Sequence, residues 1–216
     1  MRANYIGIAI LLAFVKVNAV ANNLIIHPLH LSSSDSSHSL RMPATGSHHA
    51  LKVTISEDDS KQVCDWPGDC LKLVIRNGKD EAIMAQYQFE SSYGNWVLYV
   101  YDVTGDGEEE YILITGKNHG TSVVEESIHV LSRIGSSFIE ILDTPISGYA
   151  GSINAWVYDI AFLHHKGQKK ATIALTLDRS WILTTDNQEL VPKVTYQEFQ
   201  YDSTKHKMVL TVAKSK

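Results

Sequence analysis

The residues best placed to do chemistry stand in one run, Asp102-Val103-Thr104-Gly105-Asp106-Gly107-Glu108-Glu109-Glu110. Counting from Asp102, side-chain oxygens fall at positions 1, 3 and 5 with Asp102, Thr104 and Asp106. The backbone carbonyl of Glu108 stands at position 7 and the carboxylate of Glu110 at position 9. Gly105 and Gly107 allow the chain to curl tightly round a point. Alternating oxygens on such a curl suit calcium, a hard cation that takes about six to eight oxygen ligands at roughly 2.3–2.6 Å. Without a cation, carboxylates this close repel one another. The same residues also make an acidic, glycine-rich turn that holds no ion, and spacing alone leaves both readings standing.

An EF-hand begins in the same way, but it needs a helix on each side and a bidentate Glu at position 12, where this chain has Leu113. The flanks here are strand-like, Trp96 to Tyr101 before the run and Tyr111 to Thr115 after it. A calcium-type loop between strands resembles the FG-GAP/VCBS-type repeat, the calcium-loop blade of integrin-α-like β-propellers. The resemblance covers Trp96 to Thr115, about a tenth of the chain. It implies a blade-like β fold and a calcium ion held by the side chains of Asp102, Thr104, Asp106 and Glu110 and the carbonyl of Glu108. Two positions depart from the family pattern: Thr104 replaces the usual Asp or Asn, and Glu110 the usual Asp. The corresponding turn, His164-His165-Lys166-Gly167, carries no such ligands, so one copy is intact. A full propeller needs more blades than this chain holds, and an incomplete blade set closed by homo-oligomerisation is the form the resemblance allows.

The elements that must position this loop read as strands. Leu71 to Arg76 and Glu81 to Phe89 flank Asn77-Gly78, a hairpin signal in which Asn-Gly supplies positive φ angles. Ser127 to Ser132 pairs with Phe138 to Leu142, Trp156 to Leu163 with Ala171 to Leu177, and Val194 to Tyr201 with Lys207 to Val212. Trp96 to Tyr101 is apolar on both parities, which predicts a strand covered on both faces. Trp96 and Trp156 each open a hairpin whose first strand contains Tyr-Asp, an echo that suits four-stranded blades. No amphipathic helix of useful length is present. The expected fold is all-β, built of antiparallel hairpins, as propeller-like blades or an irregular β-sandwich.

The two ends of the organisation are set by composition. Residues 1–19 start with Met1-Arg2, continue through the apolar run Ile6 to Val15, and end at Val17-Asn18-Ala19. This is the pattern of a secretory signal peptide, and the run is too short to span a bilayer. A secreted or periplasmic protein is expected, with no integral membrane span. Residues 20–50 are Ser- and His-rich, holding five of the ten histidines, and read as a flexible arm. Residues 51–216 form one β domain. Export makes Cys64 and Cys70 a disulfide pair closed over Pro67-Gly68. Two thiols without a nearby His make a poor zinc site, and redox pairs usually have two intervening residues.

The chain of 216 residues carries 19 basic and 24 acidic side chains, a formal charge of −5. Nothing forms the basic stripe that nucleic-acid binding needs. Hydrolase, nucleotide and zinc-protease motifs are missing. The leading expectation is therefore an exported β-rich binding or scaffolding protein with one structural calcium, a protein or glycan as its ligand, and no catalytic residues. The alternative is a secreted or periplasmic hydrolase whose site gathers distant polar residues such as His119, Glu125 and Asp178.

Overall fold

The computed structural model describes residues 24–25, 29–32, 39–42, 50–57, 70–91, 96–118, 123–150, 154–165, 167–178 and 192–215. Among these residues every regular element is a strand, and no helix is long and apolar enough to cross a membrane. The strands are β1 (Leu24–Ile25), β2 (Leu29–Ser32), β3 (Ser39–Met42), β4 (Leu51–Glu57), β5 (Cys70–Asn77), β6 (Ile83–Glu90) and β7 (Trp96–Tyr101). They continue as β8 (Glu110–Asn118), β9 (Val123–Ile134), β10 (Ser137–Ala150), β11 (Asn154–His164), β12 (Ala171–Asp178), β13 (Val194–Asp202) and β14 (Lys207–Ser215). All pairings are antiparallel.

Two sheets result. One has four strands in the order β3-β4-β5-β6; the other runs β14-β13-β12-β11-β10-β9-β8-β7-β2, with β1 added to β11. The chain thus makes three consecutive four-stranded meanders, β3–β6, β7–β10 and β11–β14. Among the described residues the second and third are joined into one sheet through Ser147–Ala150 of β10 and Asn154–Val157 of β11. Further along β11, Leu163 and His164 pair with β1 instead. The all-β antiparallel class expected from the sequence is present, and the continuous larger sheet with the smaller one stacked on it is closer to an irregular sandwich than to separate blades.

The hydrophobic pattern explains the stacking. On β7, Trp96, Leu98 and Val100 join Tyr111 and Leu113 of β8 and Leu131 of β9 against Val53, Ile55, Leu71, Leu73, Ile75 and Phe89 of the small sheet. The alternate residues Tyr99 and Tyr101 pack into a second core with Ile112, Ile128, Phe162 and Leu175. The double-sided apolar character of Trp96 to Tyr101 therefore buries one face of the strand fully and covers the other in part. The larger sheet coils so far that β14 returns against β10.

Three expectations need correction. The arm expected over 20–50 does not hold for its described residues: β1 pairs with β11, β2 with β7 and β3 with β4. Edge pairing is made by backbone groups, so a polar composition does not forbid it, and Leu40 also packs against the core between the sheets. The Asn77-Gly78 turn is longer than a two-residue hairpin. The positive φ falls at Glu81 (58°), whose N–H donates to the Asn77 carbonyl at 2.9 Å. Gly78 is required for another reason: its N–H donates to the Ala50 carbonyl at 2.7 Å, and a Cβ there would stand 2.8 Å from that oxygen. The β9–β10 turn is tighter than expected, with Ile134 and Ser137 paired across Gly135-Ser136. A chain beginning at Leu51 loses β1, β2 and β3. It is expected to be less stable by on the order of 2 kcal/mol, a fall of about 4–8 °C in Tm; melts of the two chains side by side check this, and equal Tm values would return the segment to a dispensable arm.

Candidate functional site

The Asp102–Glu110 turn joins β7 to β8 and is built by its own side chains. Asp102 Oδ1 accepts the Gly105 N–H at 2.6 Å and Oδ2 the Gly107 N–H at 3.0 Å. Asp106 Oδ1 accepts the Glu108 N–H at 2.8 Å. Gly105 and Gly107 have φ of 74° and 91°, conformations that L side chains rarely adopt. The turn is also locked to the hairpin of β11 and β12. The Ala171 N–H donates to the Val103 carbonyl at 3.1 Å, and a Cβ on Gly105 would lie 2.6–2.8 Å from the backbone of Lys169 and Lys170. Beside it, the Tyr101 hydroxyl hydrogen-bonds His164 Nε2 at 2.6 Å.

Glu110 is turned into the protein and fully buried. Its Oε2 accepts the N–H groups of Val103 (2.8 Å) and Thr104 (3.1 Å). Its Oε1 accepts the hydroxyls of Ser132 (3.0 Å) and Thr104 (3.3 Å). Burial pushes this carboxyl from 4.5 up to about 8, and the charge of Asp106 adds to the rise; the hydrogen bonds from Thr104, Ser132 and Val103 act in the opposite sense without overcoming it. Burial and then the Asp102 charge raise Glu109 as well. The Tyr201 hydroxyl is raised by burial and by Asp106, Glu110 and Asp202. The turn is thus a concentration of negative charge. Lys170 at its side donates to the Tyr201 carbonyl at 2.9 Å.

All five residues expected to hold calcium, Asp102, Thr104, Asp106, Glu108 and Glu110, lie on this turn but at different depths. Asp106 is exposed, Asp102 and Glu108 are half-buried, and Thr104 and Glu110 are buried. Asp102 and Asp106 accept N–H groups of the turn itself, while Glu110 serves as the acceptor that ties the turn to β9.

The remaining sequence-derived positions are dispersed. Cys70 opens β5 and is buried, whereas Cys64 lies outside the described residues, as do the segment 1–19 and His119. Glu125 on β9 and Asp178 on β12 are not brought together. Gly148 of β10 is opposite both Glu125 and Trp156, and Val157 is opposite Asp178, so three strand spacings of about 4.8 Å, roughly 14 Å, separate them.

One cluster escaped the sequence reading. His129 on β9 meets Glu140 and Asp143 on β10, with one ligand atom of each lying within 4.8 Å of the others. His129 Nδ1 is 2.7 Å from Glu140 Oε1 and 3.5 Å from Asp143 Oδ1. No local motif marks these residues, because their meeting depends on strand register and on an irregularity between Glu140 and Leu142. No family model matches the chain, and no curated protein or solved structure matches it.

Proposed function

We propose that the chain is an exported, β-rich binding or scaffolding protein in which the Asp102–Glu110 turn takes one structural calcium ion. The observation that carries this reading is the turn's double attachment. Its own carboxylates curl it through the N–H groups of Gly105, Gly107 and Glu108, and its backbone is bonded to the start of β12. A cation on the outer side, reached by Asp102, Asp106 and the Glu108 carbonyl, would relieve the mutual repulsion of these carboxylates and hold two hairpins at once. A binding role is supported by Ile83 and Leu210, the large hydrophobics exposed among the described residues, which lie on β6 and β14 at the ends of the two strand orders. A protein or glycan partner, or a second copy of the chain, is the class of ligand such edges suit.

Native mass spectrometry of the exported protein tests this reading. One calcium per chain, an N-terminus near Val20 and a Cys64–Cys70 bridge are expected; a metal-free chain would remove the ion from the proposal, and two free thiols the bridge. Asp102→Ala is expected to cost about 1–2 kcal/mol even in chelator, because the N–H groups of Gly105 and Gly107 lose their acceptor. Urea titration of the variant checks it; an unchanged midpoint would mean that the Asp102 side chain does not hold the turn.

A further inference from the structure

We propose that His129, Glu140 and Asp143 form a second cation site, of the zinc class, at the seam between the two sheets. The register of β9 and β10 makes the site. Glu140 is opposite Leu131, but beyond the bulge Leu142 is opposite Val130 and Asp143 opposite His129. In an uninterrupted strand, residues three apart point to opposite faces. Here Ile141 is the extra residue, and it brings Asp143 onto the face of Glu140 and His129. That face looks toward the small sheet: the rings of Phe89 and His129 are 4.6 Å apart, and burial together with the Glu140 charge raises the Tyr87 hydroxyl.

The donor set fits a first-row divalent ion. An imidazole nitrogen and two carboxylate oxygens suit zinc, whereas calcium and magnesium favour oxygen alone. Tetrahedral zinc with bonds of about 2.0–2.2 Å holds its ligand atoms roughly 3.3–3.5 Å apart. The His129–Asp143 separation of 3.5 Å already matches, and the His129–Glu140 pair at 2.7 Å needs to open by less than about 1 Å. The imidazole is oriented from behind, since its Nε2 is 3.3 Å from the buried Thr115 hydroxyl. An Nε2–H donated to Thr115 leaves the Nδ1 lone pair for the ion. The ring is largely enclosed while Asp143 is exposed, with side-chain exposures of 12% and 62%, so the fourth ligand position opens to water.

The test uses the full exported chain, zinc chloride and a competing chromophoric chelator. One equivalent bound at this site is expected, and Glu140→Gln and Asp143→Asn should each weaken that equivalent by at least about tenfold. Both keep the side chain's shape, and the metal-free Tm of Asp143→Asn should stay within about 2 °C of wild type. Zinc should raise the Tm of the wild type and not of the variants. No saturable binding would overturn the site, as would binding that both variants leave unchanged, which would assign the ion to the histidines of the 20–50 segment.

Discussion

Glu110→Ala is expected to destabilise the protein by about 3 kcal/mol and to lower Tm by about 6–12 °C. The substitution strands the N–H groups of Val103 and Thr104 in a fully buried site, along with the hydroxyls of Thr104 and Ser132. Glu110→Gln separates the shape of this group from its charge. With its folded-state value at about 8, Glu110 is mostly protonated at neutral pH. A proton fits on Oε1 only if one of the two hydroxyls donating there turns to accept it, whereas the two N–H groups on Oε2 cannot turn. An amide reproduces that arrangement, its oxygen accepting from the backbone and its NH2 donating to Ser132. The sign of the pH dependence follows. The folded-state value lies above the unfolded 4.5, so this group's stabilisation is complete below about pH 4.5 and is lost as pH rises through about 8. In chelator, wild type should lose a few kcal/mol between pH 5 and 9, and Glu110→Gln should lose much less. Urea titrations of both chains across that range decide it; parallel profiles would show that Glu110 is ionised in the fold.

Gly105→Ala is expected to cost about 3 kcal/mol or more, against about 1 kcal/mol for Gly107→Ala. Both positions have positive φ, so the backbone cost is shared. They differ in what a methyl group meets: backbone atoms of Lys169 and Lys170 at 2.6–2.8 Å for Gly105, and nothing within 4 Å for Gly107. Displacing the backbone of the β11–β12 hairpin would strain the Ala171–Val103 hydrogen bond. Thermal melts of the two variants measure the difference. Equal losses would mean that the turn and the hairpin are not in contact.

Strands were readable wherever burial imposes an alternation. Both parities of Trp96 to Tyr101 are apolar, and one enters the core between the sheets while Tyr99 and Tyr101 of the other pack half-buried against the second core. Features made by backbone pairing were not readable. The strands within 20–50 add to edges through N–H and carbonyl groups that any residue carries. The bulge at Ile141 leaves no compositional trace, so the grouping of His129 with Asp143 emerges only from register. At the turn, spacing located all five oxygen-bearing residues on one curl but not their depth. Whether a carboxylate faces outward or inward depends on partners distant in sequence, and Ser132, 22 residues from Glu110, is one of them.

The most direct test of a calcium-dependent turn is the Tm of the wild-type chain and of Asp106→Asn in calcium, magnesium and chelator. Asp106→Asn keeps an oxygen for the Glu108 N–H but loses the charge of an exposed carboxylate proposed to bind the ion, so its metal-free fold should match wild type. At about 1 mM calcium and a dissociation constant of roughly 0.1 mM, linkage gives about 1.4 kcal/mol, a rise of about 3–6 °C. Wild type is predicted to show that rise in calcium, a smaller one in magnesium, and Asp106→Asn little of either. Identical melting of the wild type in calcium and in chelator would contradict the account and leave Asp102–Glu110 as a turn held by hydrogen bonds alone.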